Sequence, residues 1–213
     1  KKLLHGVNGE VPEGALCALV GPSGSGKSTF LDLLSGRRVF GTCSGDLLFR
    51  GRSVSDHRVR EEYLYQAGYM RQLQPGYIDE LSVLDNMVFA VLMRYPGNFE
   101  EQMRRVQTAI EDTDLRDSVN TKAIHLSGGL RKRLSLALEL LSDRRILFLD
   151  EPTSGLDASG SLELMTTLKR LTSKMTIVVS IHQPRPEIWM LFSHSIIFKS
   201  GRIVFSGPAS EAL

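Results

Sequence analysis

The segment GPSGSGKST, residues 21–29, constrains the fold of this chain more than any other stretch. It follows the apolar run ALCALV, leads into a helical pattern, and fits the spacing G-x-x-x-x-G-K-[ST]. Glycines at this spacing let the backbone curl so that successive N–H groups point at one anion, which is how such loops hold phosphate. From average residue usage, a chance match in a chain of this length arises in roughly one per cent of cases. The sequence therefore predicts a strand, a phosphate-binding loop and a helix in direct succession.

All nine residues of this loop are candidate contacts of a phosphorylated ligand. They are Gly21, Pro22, Ser23, Gly24, Ser25, Gly26, Lys27, Ser28 and Thr29. We expect Lys27 to reach the β- and γ-phosphates of a nucleotide and the Ser28 hydroxyl to ligate Mg²⁺. A glycine- and serine-rich surface loop is the alternative, but it leaves the flanking strand and helix unexplained.

The rest of the chain alternates between two kinds of pattern. Apolar runs bounded by turn residues predict strands at Leu16–Val20, Asp46–Phe49, Ala67–Met70, Ile146–Leu149, Thr176–Ile181, Ser195–Lys199 and Arg202–Ser206. Helical patterns cover Ser28–Ser35, Val83–Met93, Glu100–Glu111, Gly129–Leu141, Ser159–Ser173 and Glu187–Phe192. Strands alternating with helices indicate an α/β fold with a largely parallel sheet. From about residue 75 to 141 the pattern is helical without a strand, which predicts an inserted helical subdomain.

A second motif, ILFLDEPTSGLD, begins with an apolar strand and ends in acidic residues. Asp150 closes the strand, and ligands bind outside the carboxyl ends of parallel strands, so its carboxylate is expected beside the Mg²⁺ at Ser28. Glu151 follows and is placed to orient or deprotonate an attacking water. An Asp-Glu pair alone often forms a helix-capping turn, but its combination with a phosphate loop favours the catalytic interpretation.

Two other polar residues follow predicted strands. They are functional candidates only because the chain also contains a phosphate loop and an acidic pair. His182 ends TIVVSIHQP, where its imidazole could hydrogen-bond a γ-phosphate, although a lone histidine before a proline turn usually faces solvent. Gln72 lies just past the strand Ala67–Met70, and its amide oxygen is a possible Mg²⁺ ligand, although an isolated loop glutamine is uninformative.

A second anion site is predicted at HLSGGLRKR, where Ser127, Gly128 and Gly129 open a helix. A serine hydroxyl and glycines at a helix start offer N–H groups and the positive end of the dipole to a phosphate. The following helix is roughly 20 Å long at 1.5 Å per residue and could fold back towards the first loop or point away from it. The spacing therefore leaves open whose phosphate this site grips.

The composition is that of an ordinary globular chain. Of 213 residues, 42% are hydrophobic and 23% charged, and the net charge of +2 gives no electrostatic reason to expect nucleic acid as a partner. Two cysteines, Cys17 and Cys43, do not make a disulfide framework, so a reducing compartment is expected. No apolar run approaches the roughly 18–20 residues that span a bilayer.

Taken together, these motifs resemble the nucleotide-binding domain of an ABC transporter over nearly the whole chain. Residues 21–29 look like the Walker A motif, Gln72 like the Q-loop glutamine, and 126–130 like the signature motif. Residues 146–150 look like Walker B with Glu151 as the catalytic glutamate, 154–157 like the D-loop, and His182 like the switch histidine. The segments SGGLRKR, DEPTSGLD, SIHQPRPEIWMLF and LSVLDNMVF resemble the G subfamily in particular.

The resemblance implies an α/β P-loop NTPase (RecA-like) core with an antiparallel β-part near the N-terminus. It implies ATP and Mg²⁺ as cofactors, with Ser28, Gln72 and Asp150 at the metal and Glu151 and His182 in catalysis. The nucleotide contacts would be the Walker A residues, Gln72, Ser127, Gly128, Gly129 and Asp157. It further implies a head-to-tail dimer in which each signature closes over the ATP held by its partner's Walker A.

The resemblance also implies a membrane transporter. A transmembrane domain is then expected outside these residues, C-terminal to them in the G subfamily, with this domain on the cytoplasmic face of the membrane. The cargo would be a small molecule or lipid. Two alternatives stay open: a soluble ABC ATPase acting on ribosomes or DNA, and a nucleotide sensor with little turnover. The basic residues around Arg131 are better explained as a solvated or partner-docking helix face than as a nucleic-acid patch.

Three positions depart from the family pattern. Leu130 replaces the usual Gln or Glu at the end of the signature, which predicts tuned rather than abolished hydrolysis. Leu73 stands where a polar residue is usual, and Ser193 replaces the usual Asp after the pair LF.

Overall fold

The computed structural model describes residues 3–36, 42–70 and 76–212. The strands are β1 (Leu16–Val20), β2 (Leu48–Phe49), β3 (Arg52–Ser53), β4 (Ala67–Met70), β5 (Ile146–Asp150), β6 (Thr176–Ile181), β7 (His194–Lys199) and β8 (Arg202–Pro208). The α-helices are α1 (Lys27–Leu34), α2 (His57–Gln66), α3 (Val83–Arg94), α4 (Phe99–Asp112), α5 (Gly128–Leu140), α6 (Ala158–Leu171) and α7 (Pro186–Trp189). Short 3₁₀ turns lie at Arg116–Ser118, Ala123–His125 and Ala209–Glu211.

Six strands form one sheet in the order β4-β5-β6-β1-β7-β8. Strand β1 pairs in parallel with β6 and β7, and β5 pairs in parallel with β6, whereas β7 and β8 are antiparallel. Every residue of β6 is buried, as expected for a strand covered on both faces. The parallel register places Val20 beside Ile181 and Asp150 beside Ser180. Consequently the segments that follow β1, β5 and β6 emerge at one edge of the sheet.

The chain divides into two compact units. The first comprises residues 1–69, 144–151 and 172–213, and the second comprises 70–143 and 152–171. The predicted α/β fold is confirmed, and the antiparallel β-part near the N-terminus corresponds to the pair β2–β3. Helix α2 and strand β3 were not anticipated from the sequence.

The first unit is held together by an apolar cluster on one face of the sheet. It contains Cys17, Leu19, Leu31, Phe49, Val59, Tyr63, Ala67, Tyr69, Phe148, Val178, Ile196 and Phe198. The rings of Phe30 and Phe198 lie 5.1 Å apart, and those of Phe49 and Tyr63 meet edge-on at 5.4 Å. The Tyr63 hydroxyl donates to the Leu34 carbonyl, which ties α2 to the end of α1. This packing fixes α1, the helix that the phosphate loop opens.

The second unit is built on helices α3, α4 and α5, whose buried side chains form a separate cluster around Met87, Val106 and Leu134. Residues 76–143 are all described, and they contain no strand beyond an isolated bridge between Ser82 and Lys122. Polar side chains start each helix: Ser82 accepts from the Asp85 N–H, and Asn98 from the Glu101 N–H. Within the described ranges, no helix is both long enough and apolar enough to cross a membrane.

Candidate functional site

The loop after β1 contains three glycines, Gly21, Gly24 and Gly26, at which a side chain would clash or strain the backbone. A Cβ at Gly21 would lie 2.5 Å from the carbonyl oxygen of Phe198, so no side chain fits there. Gly26 has φ +107° and would meet Leu4 at 2.9 Å, and Gly24 has φ +74° with open space around it. Positive φ values are strained for residues with a Cβ. The glycine pattern in the sequence is therefore explained by backbone geometry.

Lys27 begins α1 and is buried, with its side chain turned into the loop. Its ammonium group donates to the carbonyl oxygens of Gly21 at 2.7 Å and Pro22 at 3.1 Å. Burial lowers the pKa of Lys27, and the nearby carboxylates of Glu151 and Asp150 partly offset that effect. The loop thus holds a poorly solvated cation between carbonyl oxygens, where a phosphate would be a stronger acceptor.

Asp150, at the end of β5, accepts two hydroxyl hydrogen bonds on one carboxylate oxygen. Ser28 Oγ donates to Asp150 Oδ1 at 3.2 Å, and Ser180 Oγ donates to the same atom at 2.5 Å. The Glu151 N–H in turn donates to Ser180 Oγ at 2.9 Å. The structure therefore brings Ser28 and Asp150 together across 122 residues. It also adds Ser180, which sequence reasoning missed; the available signal was a serine inside the otherwise apolar run IVVSI.

His182, which follows β6, contacts two of the other candidate residues. Its Nε2 lies 3.2 Å from Glu151 Oε1 and 3.3 Å from Ser23 Oγ. Glu151 and Gln183 both have positive φ, at 47° and 35°. Non-glycine residues in this conformation are uncommon and cost energy, and they concentrate at functional sites. The acid–imidazole pair is thus held by turns that directly follow the strands.

The other residues of the loop differ in their surroundings. In the described part of the chain, the buried Ser25 hydroxyl has no hydrogen-bond partner. Ser28 is exposed and Thr29 half-buried, both on α1. Gln72 and Leu73 lie outside the described residues. Ser193 Oγ accepts from the Leu16 N–H at 3.1 Å and donates to its carbonyl at 3.3 Å, so it anchors the start of β1.

The second predicted anion site lies in the helical unit, at the start of α5. Ser127 caps the helix: its Oγ accepts from the Leu130 N–H at 3.3 Å, and its backbone has extended geometry. Ser127 and Gly128 are exposed, and a Cβ added at Gly129 would meet nothing within 4 Å. Leu130 is half-buried and packs against the cluster of the helical unit. The departure at the fifth signature position therefore adds an apolar contact to the fold.

Asp157 is exposed and caps α6. Its Oδ1 accepts from the Gly160 N–H at 3.0 Å, and the Ser161 N–H donates to its carbonyl oxygen at 3.0 Å. Asp157 therefore stabilises the start of α6, and its contact with a nucleotide stays a prediction.

The donor set at the sheet edge fits a magnesium nucleotide. Ser28, Asp150 and Glu151 offer hydroxyl and carboxylate oxygens, the ligands that Mg²⁺ prefers, next to a glycine loop and a buried ammonium group. Among the residues described, no cluster of three or more His, Cys, Asp or Glu side chains could hold a metal by itself. Mg²⁺ usually takes one or two carboxylates plus phosphate and water, so it does not require such a cluster.

Comparison with known proteins agrees with this geometry. The family described as ABC transporter matches residues 4–154. ABC transporter G family member 12 of Dictyostelium discoideum is 37% identical over 217 residues, which cover 96% of this chain and 33% of that protein. The broad substrate specificity ATP-binding cassette transporter ABCG2 of Mus musculus is 38% identical over 221 residues, covering 100% of this chain and 33% of that protein. This chain thus spans about a third of the length of these relatives.

A solved structure gives the same assignment. The structure of cbiO1 from Clostridium perfringens, described as part of the ABC transporter complex cbiONQ, superposes with a TM-score of 0.87 and 25% identity. The match covers 99% of this chain and 83% of that one. The sequence-based resemblance to the nucleotide-binding domain of ABC transporters, and to their G subfamily, is confirmed. The chain therefore belongs to the ABC transporter family, as an ATP-binding domain.

Proposed function

We propose that this domain binds ATP with Mg²⁺ at the edge of its sheet and hydrolyses it to drive transport by a larger membrane protein. The observation that carries the proposal is the convergence of a hydroxyl–carboxylate pair, Ser28 with Asp150, and an acid–imidazole pair, Glu151 with His182. The first pair lies at the start of α1, and His182 of the second pair contacts Ser23 of the phosphate loop.

Binding of the phosphates is assigned to the loop and to Lys27. The loop N–H groups face an anion, and the Lys27 ammonium exchanges its two carbonyl acceptors for the β- and γ-phosphate oxygens. A charge-assisted hydrogen bond to phosphate is stronger than one to a neutral carbonyl, and the buried cation gains a counter-charge. The burial that lowers the pKa of Lys27 therefore favours anion binding.

Ser28, Asp150 and, through the family resemblance, Gln72 would hold the Mg²⁺. Bound there, the ion would supply positive charge that offsets the negative charge of the phosphates. The residues of the chain do the remaining work of orientation: Asp150 holds the Ser28 hydroxyl, and α1 presents its N-terminal N–H groups to the phosphates.

Hydrolysis is assigned to Glu151 and His182. The Glu151 carboxylate accepts a proton from water as the water oxygen bonds to the γ-phosphorus. The bond between that phosphorus and the bridging oxygen breaks, and ADP and inorganic phosphate leave. His182, 3.2 Å from Glu151 Oε1, orients the carboxylate and hydrogen-bonds the γ-phosphate.

A nucleotide titration of Lys27→Ala tests the phosphate-binding assignment. The variant loses the point charge at the β- and γ-phosphates, so ATP affinity should fall by at least about tenfold, the equivalent of one charge-assisted hydrogen bond. Lys199→Ala removes an exposed lysine at the end of β7 and should bind ATP like the unaltered protein. Equal ATP affinity in the two variants would exclude the Walker A assignment.

We further propose that two such domains form a head-to-tail dimer in which the Ser127–Gly129 segment grips the partner's γ-phosphate. Exposure of Ser127 and Gly128 supports this assignment, since an anion from outside can reach them. The open space around Gly129 also permits a clean test. Gly129→Asp introduces a like charge at a phosphate-facing helix start without a steric clash in the fold.

Mixing two inactive variants distinguishes a site shared between copies from a site within one copy. Lys27→Ala and Gly129→Asp should each abolish hydrolysis, because both sites of each homodimer are broken. With random exchange, half of the dimers are mixed and each has one intact site, so about a quarter of the wild-type activity should return. Absence of recovery, despite mixed dimers and competence of a single site, would contradict the shared site. If the natural partner is a different protein, the cross needs one change on each chain.

The relatives, which are about three times as long as this chain, support a transport context. We propose that the full protein carries a transmembrane domain after residue 213. The ATP-binding domain would then lie at the cytoplasmic face of the membrane, and the cargo would be a small molecule or lipid. Sequencing the gene beyond residue 213 tests this. About six apolar segments of 20 residues are expected, and a second ATP-binding domain without them would indicate a soluble ABC ATPase instead.

A further inference from the structure

The Ser180 hydroxyl lies at the centre of a polar network that no sequence motif predicted. Ser180 is 0% exposed, and it is the one side chain of β6 between Ile177 and Ile181 that carries a polar group. Burying a hydroxyl costs free energy unless its hydrogen bonds are satisfied. Here they are satisfied by Asp150, the last residue of β5, and by Glu151, which follows it.

The direction of each hydrogen bond follows from the proton count. A serine hydroxyl has one proton and can accept on its oxygen at the same time. The Glu151 N–H can only donate, so Ser180 Oγ accepts it at 2.9 Å and gives its own proton to Asp150 Oδ1 at 2.5 Å. The short distance to the carboxylate is typical of a charge-assisted O–H···O⁻ bond. The parallel register sets Ser180 directly beside Asp150, so the contact is built into the sheet.

We propose that Ser180 is a positioning residue for ATP hydrolysis, which fixes the Asp150 carboxylate and the Glu151 backbone relative to each other. The inference rests on the proposed function, in which Asp150 helps to hold Mg²⁺ and Glu151 activates water. Asp150 Oδ1 also accepts from Ser28, so one network runs from the phosphate loop to the catalytic glutamate.

The hydrogen bond from the Glu151 N–H to Ser180 stabilises a backbone conformation that is otherwise unfavourable. The Glu151 φ of 47° lies in the left-handed region, which is unfavourable for a residue with a Cβ. A hydrogen bond from the Glu151 N–H to a fully buried acceptor favours this turn over more extended alternatives. Removing the acceptor leaves the carboxylate side chain without a fixed backbone from which to reach the water.

Ser180→Ala removes the hydroxyl, and Ser180→Thr retains it with one added methyl group. Ser195→Ala is a matched control, because Ser195 is also 0% exposed, lies on β7 of the same sheet, and has a hydroxyl without a hydrogen-bond partner among the described residues. For Ser180→Ala we expect kcat to fall about 10- to 100-fold, the range for unpairing a buried group, with KM for ATP changed less than about twofold. Ser180→Thr should recover most of kcat, and Ser195→Ala should retain it.

A second measurement does not depend on turnover. The amide proton of Glu151, followed by NMR hydrogen exchange without nucleotide, should exchange at least about tenfold faster in Ser180→Ala, with protection restored in Ser180→Thr. Exchange at Glu151 that matches the Ser195→Ala control would overturn the proposal. So would a kcat loss no larger than that of the control.

Two further outcomes bear on the proposal: a variant that does not fold, and an unaltered protein that does not hydrolyse ATP. If Ser180→Ala does not fold, Ser180→Cys serves instead; its weak donor should give slower hydrolysis and faster exchange at Glu151, and wild-type values of both would overturn the proposal. If the unaltered protein does not hydrolyse ATP, the proposed function fails, and with it the role of Ser180 in catalysis. The exchange measurement then still shows whether the contact itself exists.

Discussion

Glu151 combines a side chain that we propose acts in hydrolysis with an unfavourable backbone, and the two can be separated by comparing Glu151→Gly with Glu151→Ala. Both variants lose the carboxylate, so the contact with His182 is absent from both. They differ in the cost of φ 47°, which is roughly 1–2 kcal/mol for a residue with a Cβ and absent for glycine. Glycine also gains about 0.4–1 kcal/mol of freedom in the unfolded chain, which acts in the opposite direction. We expect Glu151→Gly to be more stable than Glu151→Ala by about 0.5–1 kcal/mol.

Two other positions in the same unit calibrate the comparison. Ser200, in the exposed turn between β7 and β8, has φ 48°, so glycine should again be more stable than alanine there. Glu61 is exposed within α2, where glycine should be less stable than alanine by about 1 kcal/mol. The sign of the glycine–alanine difference should therefore be the same at 151 and 200 and opposite at 61.

Urea unfolding monitored by circular dichroism measures these differences, provided that each transition is fitted with a common slope. All Glu151 variants should hydrolyse ATP slowly, whatever their stability. A Glu151→Gly protein that is less stable than Glu151→Ala, while the Ser200 and Glu61 controls behave as expected, would refute the claim that backbone strain is stored at Glu151.

Two further predictions concern buried groups away from the site. Burial raises the pKa of the Cys17 thiol to about 12, so at pH 8 only about one molecule in ten thousand carries the thiolate; a maleimide should label the exposed Cys43 quickly and Cys17 only in denaturant. Because the folded pKa lies above the unfolded value of about 8.5, this thiol lowers stability as pH rises from roughly 8.5 towards 12, and Cys17→Ala should flatten that part of the pH profile. Asn86 is 3% exposed and accepts from the Ile78 N–H at 2.7 Å, and its two amide protons are shared among three carbonyl oxygens within 3.2 Å. Asn86→Ala should therefore cost at least about 2 kcal/mol in urea unfolding. A cost under about 0.5 kcal/mol would show that the 78–82 loop is held by other contacts.

The sheet strands could be predicted because they are short apolar runs bounded by turn residues. The predicted bounds of Leu16–Val20, Ala67–Met70 and Thr176–Ile181 agree with β1, β4 and β6 residue by residue. Prediction of the helix Glu187–Phe192 was less accurate, since α7 ends at Trp189 and i→i+3 hydrogen bonds continue the chain to Phe192. Propensity alone does not distinguish a tightening last turn from a helix.

Helix α2 could not be found from its apolar pattern. Only Val59 and Tyr63 are buried, so the apolar face is two residues wide, and most of the helix is polar. A capping signal was nevertheless present, because Asp56 accepts from the N–H groups of Arg58 and Val59. Tertiary contacts, above all the Tyr63 hydroxyl on the Leu34 carbonyl, stabilise what the local sequence signals weakly.

The site was predictable where a motif carries its own geometry, and less so where register decides the neighbours. The glycine spacing of residues 21–26 predicts the phosphate loop. The acidic pair after an apolar strand predicts that Asp150 and Glu151 lie at the edge of the sheet. The role of Ser180 depends on which residue of β6 lies opposite Asp150, which only the strand order and register reveal. The same holds for the 3.2 Å approach of His182 to Glu151, which needs both strands in place.

Hydrolysis by Glu151→Gln tests the central claim most directly, because the amide keeps the volume of the carboxylate and removes its ability to take a proton. In one experiment, ATP affinity is measured by titration and phosphate release by single turnover, with Glu187→Gln as a control at an exposed glutamate of α7. Glu151→Gln should bind ATP with an affinity within about twofold of that of the unaltered protein. It should release phosphate at least about 100-fold more slowly, which is the lower range for loss of a general base. Glu187→Gln should match the unaltered protein in both affinity and rate. Phosphate release by Glu151→Gln near the unaltered rate would mean that Glu151 is only a turn residue after β5 and that the hydrolytic site lies elsewhere.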